Sequence, residues 1–368
     1  MGGGLMQLVA YGAQDIYLTG NPQITFWKVV YRRHTNFARE SIQQTFNGSV
    51  GASNRVTATI SRNGDLLAGC TLEVECGAAT NVANYGHLLI DNVECQIGGQ
   101  QIDKHYGHWM EVWACLTNPV NTPAGIAATA GLATGAYSPF QKMAGAGGVT
   151  AANVDYGKLF VPLQFWFCRN PGLALPLIAL QYHEVKVILT FSSSLNASST
   201  VDLWCDYVYL DTDERRRFAQ VSHEYLIEQL QYVSSGTGTS HDLTLNHPVK
   251  ELIWTGGDNS GVPTTLATGN YKLVLNGHDR FAERDLFYFT RQQVYDHHTG
   301  SGSVGVNDAV AVYSFALEPE EHQPSGTCNF SRIDTAQLKS PSDALNIYAV
   351  NYNVLRIMSG MGGLAYSN

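Results

Sequence analysis

At 368 residues the chain is longer than one ordinary sandwich requires and suits two domains, each able to bury its own core. Only 14% of residues are charged, against 36 glycines and 19 tyrosines, which favours tight turns and broad, weakly charged surfaces over long solvated helices. A net charge of −9 excludes a large phosphate-binding face, and no run of about 18 apolar residues is present to span a membrane.

Residues up to Phe26 alternate weakly and carry Gly12, Gly20 and Pro22, so residues 1–26 read as an N-terminal arm. The opening Met1-Gly-Gly-Gly-Leu-Met6 lacks the Ser or Thr that a myristoylation signal places where Met6 stands. A first barrel is expected over 27–212, beginning near Trp27. Val56, Ala58 and Ile60 alternate up to Asn63-Gly64, and Leu66 to Val74 alternate away from it, which predicts a hairpin. A strand from Leu88 to Ile97 turns at Gly98-Gly99 into Gln100 to Asp103. Between Lys104 and Leu116 the period becomes helical, with Trp109, Val112, Trp113 and Leu116 in one stripe. His105, His108 and Glu111 sit on this helix, but His105 and Glu111 are about 120° apart around its axis, so a polar helix edge is expected and no metal site. Thr117 to Asn153 is Ala-, Gly- and Thr-rich with three prolines and reads as a long surface loop.

Leu159 to Phe167 is apolar on both faces of a two-residue period and predicts a buried strand. After Asn170-Pro171-Gly172, two alternating strands are expected over His183–Phe191 and Val201–Leu210. Asp211 to Phe218 is the densest charge run; Asp211, Asp213 and Glu214 offset Arg215, Arg216 and Arg217, so 213–224 reads as a solvated linker. The second barrel, 225–368, restarts with Tyr225–Tyr232, Asp242–Leu245, Glu251–Trp254 and Tyr271–Leu275. Asn276-Gly277 then turns the chain as Gly98-Gly99 did, which suggests a duplication with a shift of about 178 residues. Strands at Val310–Leu317 and Ala344–Leu355 follow, and Ser359–Tyr366 reads as a glycine-bent tail against the sheet. Strands joined by turns, without long helices between them, predict an all-β antiparallel architecture.

No catalytic, cofactor or metal residue emerges. Gly300-Ser-Gly-Ser-Val-Gly305 satisfies the dinucleotide fingerprint, but a strand follows where a helix is needed. No His-x-His of the cupin kind occurs, and His297-His298 would point to opposite faces of a strand. Seven cysteines without a Cys-x-x-Cys pair read as buried free thiols, and their odd number with no signal peptide points to a reducing compartment. Sequons stand at Asn47, Asn196 and Asn329, with no signal to route the chain to glycosylation, so no glycan site is nominated.

Asn170-Pro-Gly-Leu-Ala-Leu-Pro-Leu-Ile-Ala-Leu-Gln-Tyr-His-Glu-Val-Lys186 closely resembles the major capsid proteins of large icosahedral DNA viruses, the algal chloroviruses most of all. The resemblance recurs in Val9–Phe26, Tyr31–Phe37, Ile60–Leu66, Ile97–Tyr106, Arg217–Gln220, Gln323–Asp334 and Ala344–Tyr366, in one order over nearly the whole chain. It implies two tandem eight-stranded antiparallel jelly rolls with short helices in the loops. It further implies a homotrimer of pseudo-hexagonal outline that tiles a virion shell, with the arm beneath, assembled in the host cytoplasm. The expected partners are the chain itself, neighbouring capsomers and minor capsid proteins, over an internal viral membrane and without direct nucleic-acid contact. The alternatives are a minor paralogue at vertices or a spike, and a carbohydrate-binding jelly roll.

Overall fold

The computed structural model describes residues 3–77, 82–118, 138–149, 157–234, 238–256, 263–302, 308–341 and 344–366. Met1–Asn36 forms one unit and Phe37–Asn368 another. The first unit holds two short helices, Gly3–Val9 and Ile16–Thr19, and leaves Tyr17, Ile24, Phe26 and Trp27 exposed. The arm therefore runs past Phe26, and the barrel expected near Trp27 begins later.

Beside the two-residue strands Phe46–Asn47 and Leu175–Pro176, eight longer strands make the first barrel: β1 (Phe37–Gln44), β2 (Arg55–Thr59), β3 (Leu66–Glu75), β4 (Ile90–Ile97), β5 (Gln100–Tyr106), β6 (Lys158–Pro162), β7 (Val185–Phe191) and β8 (Thr200–Leu210). They form two antiparallel sheets, ordered β1-β8-β3-β6 and β2-β7-β4-β5. The second barrel comprises β9 (His223–Ser234), β10 (Ser240–Asp242), β11 (Pro248–Gly256), β12 (Asn270–Leu275), β13 (His278–Asp279), β14 (Val310–Ser314), β15 (Ala336–Lys339) and β16 (Leu345–Met358). Its sheets run β9-β16-β11-β14 and β10-β15-β12-β13. Adding eight to each strand number of the first half reproduces the second. This is the tandem jelly roll, and the weak echo between half-chains reflects a full topological duplication. A last strand, β17 (Met361–Leu364), folds the tail back onto β16.

The two hairpins that carry the echo share their geometry. Gly98 and Gly99 have φ of 59° and 85°, and Asn276 and Gly277 have 49° and 78°. Two successive positive φ values are what a two-residue turn needs to match the twist of its strands.

Asn63-Gly64 does not make the expected hairpin. β2 pairs with β7 and β3 with β8, so the chain crosses from one sheet to the other here. Glycine is required by close approach: a Cβ at Gly64 would lie 2.8 Å from the Tyr207 Cβ, while Tyr207 Oη donates to Ser61 O at 2.7 Å. The run Leu159–Phe167 is likewise not one strand. β6 ends at Pro162, and Trp166–Arg169 is a helical turn whose aromatics interlock, Phe165 with Phe167 at 5.5 Å and Trp166 with Phe167 at 5.1 Å. A continuous apolar run reports burial, and a proline-broken buried turn satisfies that as well as a strand does.

The charged linker is also ordered. Thr212–Gln220 forms a helix, α3 in the numbering below, with Asp211 accepting a hydrogen bond from Thr212 N and Arg215 3.0 Å from Asp65. Its exposed, strongly polar face is what the charge run required. Two further helices of the first half are α1 (Gly107–Thr117) and α2 (Pro139–Ala144), and the second half carries a π-helical turn, Tyr288–Gln292, continued by α4 (Gln293–His297). None of the described helices is long and apolar enough to cross a membrane.

Candidate functional site at the seam between the two barrels

The expected helical stripe is real and its purpose is to join the barrels. Trp109, Val112, Trp113 and Leu116 of α1 pack on the outer face of the β9-β16-β11-β14 sheet, against Ile253, Val310, Val312, Tyr348 and Val350. That sheet buries its inner face in its own barrel core, through Leu252, Trp254, Ile347 and Ala349. Apolar residues on both faces explain why Val249–Gly256 is buried throughout. Trp109 stacks on Trp113 at 5.7 Å and meets Tyr348 at 5.1 Å, and His108 Nδ1 lies 2.8 Å from Tyr348 Oη. Burying an indole removes about 150–250 Å² from water. At about 25 cal/mol/Å² that is roughly 4–6 kcal/mol per ring before the entropy of ordering.

The second barrel also closes the end of α1. Gly300 N donates to Leu116 O at 2.6 Å, Gly302 N to Cys115 O at 3.0 Å, and Thr299 Oγ1 to Thr117 O at 3.1 Å. These satisfy carbonyls that a helix C-terminus leaves open. A Cβ on Gly300 would stand 2.4 Å from Cys115 O, so only glycine fits. The glycine run that imitates a dinucleotide fingerprint is thus, in its described part Gly300–Gly302, a helix cap supplied by the other barrel.

An ionic network lies beside the stripe. Glu228 of β9 meets Lys250 of β11 at 2.8 Å, Arg169 of the first barrel at 3.3 Å and His322 at 3.6 Å. Burial pushes the Glu228 carboxyl up, but His322, Arg169 and Lys250 outweigh it and hold it at about 2. The Arg169 guanidinium lies 5.3 Å from the Trp113 ring, at a cleft of about 250 Å³ that Asn170, Trp166 and Glu320 help to line. Asn170 opens the sequence block that carries the family resemblance. Nearby, His298 is 3.1 Å from both Glu251 and Glu320. Burial pushes its imidazole down, yet the two carboxylates raise it to about 9, so it stays cationic at neutral pH.

His105, His108 and Glu111, expected on a polar helix edge, are all buried. His105 belongs to β5 rather than to the helix, and desolvation drives it to about 3, which keeps it neutral. Glu111 accepts from Gly147 N at 2.9 Å and Gly148 N at 2.8 Å, and lies 2.7 Å from His87 Nδ1. It clamps the segment after α2, so Ala144–Val149 is buried structure and not surface loop; of the loop expected over Thr117–Asn153, residues 119–137 and 150–153 lie outside the described residues. Among the described residues no group of three or more metal-ligating side chains comes together.

Sequence reasoning missed Lys250, Glu228 and the Gly300 cap. A lysine inside the apolar run Val249–Trp254 was the available signal, since a buried cation demands a partner. Cys70, Cys95, Cys115 and Cys205 are buried thiols, with Cys70 Sγ 3.5 Å from Cys205 Sγ.

Two tandem jelly rolls, joined where a helix of the first seats on a sheet face of the second, are the architecture that the family resemblance implied. Residues 25–211 match the family described as major capsid protein N-terminus, and residues 214–363 match the large eukaryotic DNA virus major capsid protein. The chain therefore belongs to the major capsid protein family of large eukaryotic DNA viruses, and its role is structural. It is 52% identical to the major capsid protein of Pyramimonas orientalis virus and 43% identical to that of Paramecium bursaria Chlorella virus 1, over the full length of each chain. A quasi-atomic model of the PBCV-1 virus capsid superposes with a TM-score of 0.79 at 40% identity, covering 94% of this chain and 100% of the other. The Faustovirus major capsid protein, at 12% identity and a TM-score of 0.66, shares the fold.

Proposed function

We propose that three copies of this chain close into a ring of six barrels, and that these pseudo-hexagonal blocks tile an icosahedral virion shell without performing a reaction. The observation that carries this reading is the duplicated strand order combined with a rigid seam. Two barrels that share one topology and are joined through α1 on a sheet face give a three-chain object the outline of a sixfold tile. A permanent assembly of this kind buries roughly 2,000–5,000 Å² per interface. The arm, the linker and the two barrels then serve as separate parts of the block. Minor capsid proteins and an underlying viral membrane are the further partners this reading assigns, with assembly in the host cytoplasm.

Light scattering of the purified chain tests it. The expected mass is three times the 40.2 kDa of one chain, and a stable monomer at micromolar concentration would overturn the reading.

A further inference from the structure

Cys70 has a thiol neighbour on each of two elements of the first barrel, and neither the seam nor the ring uses them. Cys70 of β3 and Cys205 of β8 are cross-strand partners in the antiparallel ladder. Antiparallel partners alternate between pairs that exchange both backbone hydrogen bonds and pairs that exchange none, whose side chains come closer. Cys70 is of the second kind toward β8, because its carbonyl turns the other way and accepts from Leu163 N at 2.9 Å, just past the end of β6. The two side chains therefore meet inside the barrel, with Sγ atoms 3.5 Å apart and both residues buried. Pairs of this kind hold their Cα atoms about 4.5 Å apart, within the span of about 4.4–6.8 Å that a disulfide bridges.

The second neighbour is Cys168. It lies on the helical turn Trp166–Arg169, which packs on β3 and against the same core. Of the three residues it alone is partly exposed. A hydrogen bond with the Cys168 side chain, a second with Cys205, and burial push the Cys70 thiol well up, so it stays protonated and resists direct attack from solvent.

We propose that Cys70 and Cys205 are a cross-linking site, closed to a disulfide by thiol–disulfide exchange that enters at Cys168, with a small disulfide such as glutathione disulfide as the oxidant. The Cys168 thiolate attacks one sulfur of that disulfide, expels a glutathione thiolate and becomes the mixed disulfide. Cys70, as its thiolate, attacks the Cys168 sulfur and expels the second glutathione. Cys205 then attacks the Cys70 sulfur, which it faces at 3.5 Å, and Cys168 leaves as a thiolate. The chain has lost two protons and two electrons, and one glutathione disulfide has become two glutathiones. Proximity offsets the protonation that shields Cys70 from outside reagents. The pair stays a dithiol where glutathione is kept reduced and closes in oxidising surroundings. Closure ties β3 to β8 across a separation of 135 residues, and a loop that long removes much entropy from the unfolded chain. It needs only one chain, whatever the assembly.

The test incubates the purified full-length chain with glutathione disulfide in native buffer, alkylates the remaining thiols after unfolding, and maps cross-links by mass spectrometry of an unreduced trypsin and Glu-C digest. Cleavage after Glu73 separates Cys70 from Cys76 and Cys95. A linked pair of peptides carrying Cys70 and Cys205 is expected, and the urea midpoint of the oxidised chain should rise by about 0.5–1 M. Cys168→Ser is expected to slow closure at least about tenfold with the same end product, and Cys205→Ser to stop the exchange at a Cys70–Cys168 bond. Full alkylation of Cys70 and Cys205, or a bond from Cys70 to Cys76 or Cys95, would overturn the cross-link. Closure of Cys168→Ser at the wild-type rate, or no Cys70–Cys168 bond in Cys205→Ser, would overturn the route. If Cys205→Ser fails to fold, the wild-type map and the Cys168→Ser rate decide the proposal.

Discussion

The helices that follow the two hairpins occupy the same place in two copies of one fold and are buried to different extents. α1 is covered along its stripe and capped at its end by the other barrel. The helix running from Tyr288 through α4 leaves Phe287, Arg291 and Tyr295 facing solvent. Duplicating a fold therefore does not duplicate its environment.

The largest effect should separate the two helices. Trp109→Ala is expected to lower the unfolding free energy of the chain by about 3–5 kcal/mol, the usual cost of emptying a buried aromatic site. Phe287→Ala, read by urea denaturation under conditions that keep the chain monomeric, should move it by less than about 1 kcal/mol. Equal effects would contradict the difference in burial. Next, Lys250→Met leaves Glu228 with Arg169 and His322 alone, and removal of one partner from a buried network is expected to cost about 3 kcal/mol. Arg291→Met, whose ion pair with Asp308 is solvent-facing, should leave the urea midpoint of the monomer in place.

An intermediate effect comes from pH. The folded-state value of His298 is about 9, above its ordinary 6.5, so its stabilisation is complete below about pH 6.5 and is lost as pH rises through 9. The decline should be on the order of 3 kcal/mol, and His298→Gln should flatten it in a series of urea midpoints against pH. On the acid side the direction reverses. Glu228, held at about 2, contributes fully above its ordinary value of 4.5, and that contribution fades as pH falls toward 2. The smallest effect is expected from Gly300→Ala, which forces the cap off the α1 carbonyls at about 1–2 kcal/mol. Gly277→Ala on the open hairpin, where a Cβ meets nothing, should be felt only through its positive φ.

What the sequence disclosed and what it hid divide along the same physical line. Gly98-Gly99 and Asn276-Gly277 were legible because a two-residue turn is a local event with a local backbone requirement. The stripe Trp109–Leu116 was legible because helical period is local too, although nothing local says what it packs on. Asn63-Gly64 misled because the glycine answers to Tyr207, far along the chain. Glu111 misled because a carboxylate in a helix ordinarily faces water, and only Gly147, Gly148 and His87 make its burial tolerable. Trp166 and Phe167 showed burial without showing shape. The seam itself, with Lys250, Glu228 and Gly300, depends on residues brought together from both halves. The 178-residue shift was the one long-range signal in the sequence, and it led to the correspondence on which the comparison rests.

Single-particle imaging of the purified oligomer tests the central claim most directly. The account predicts three chains in a ring of six lobes, two from each chain. A particle of only two lobes would contradict it.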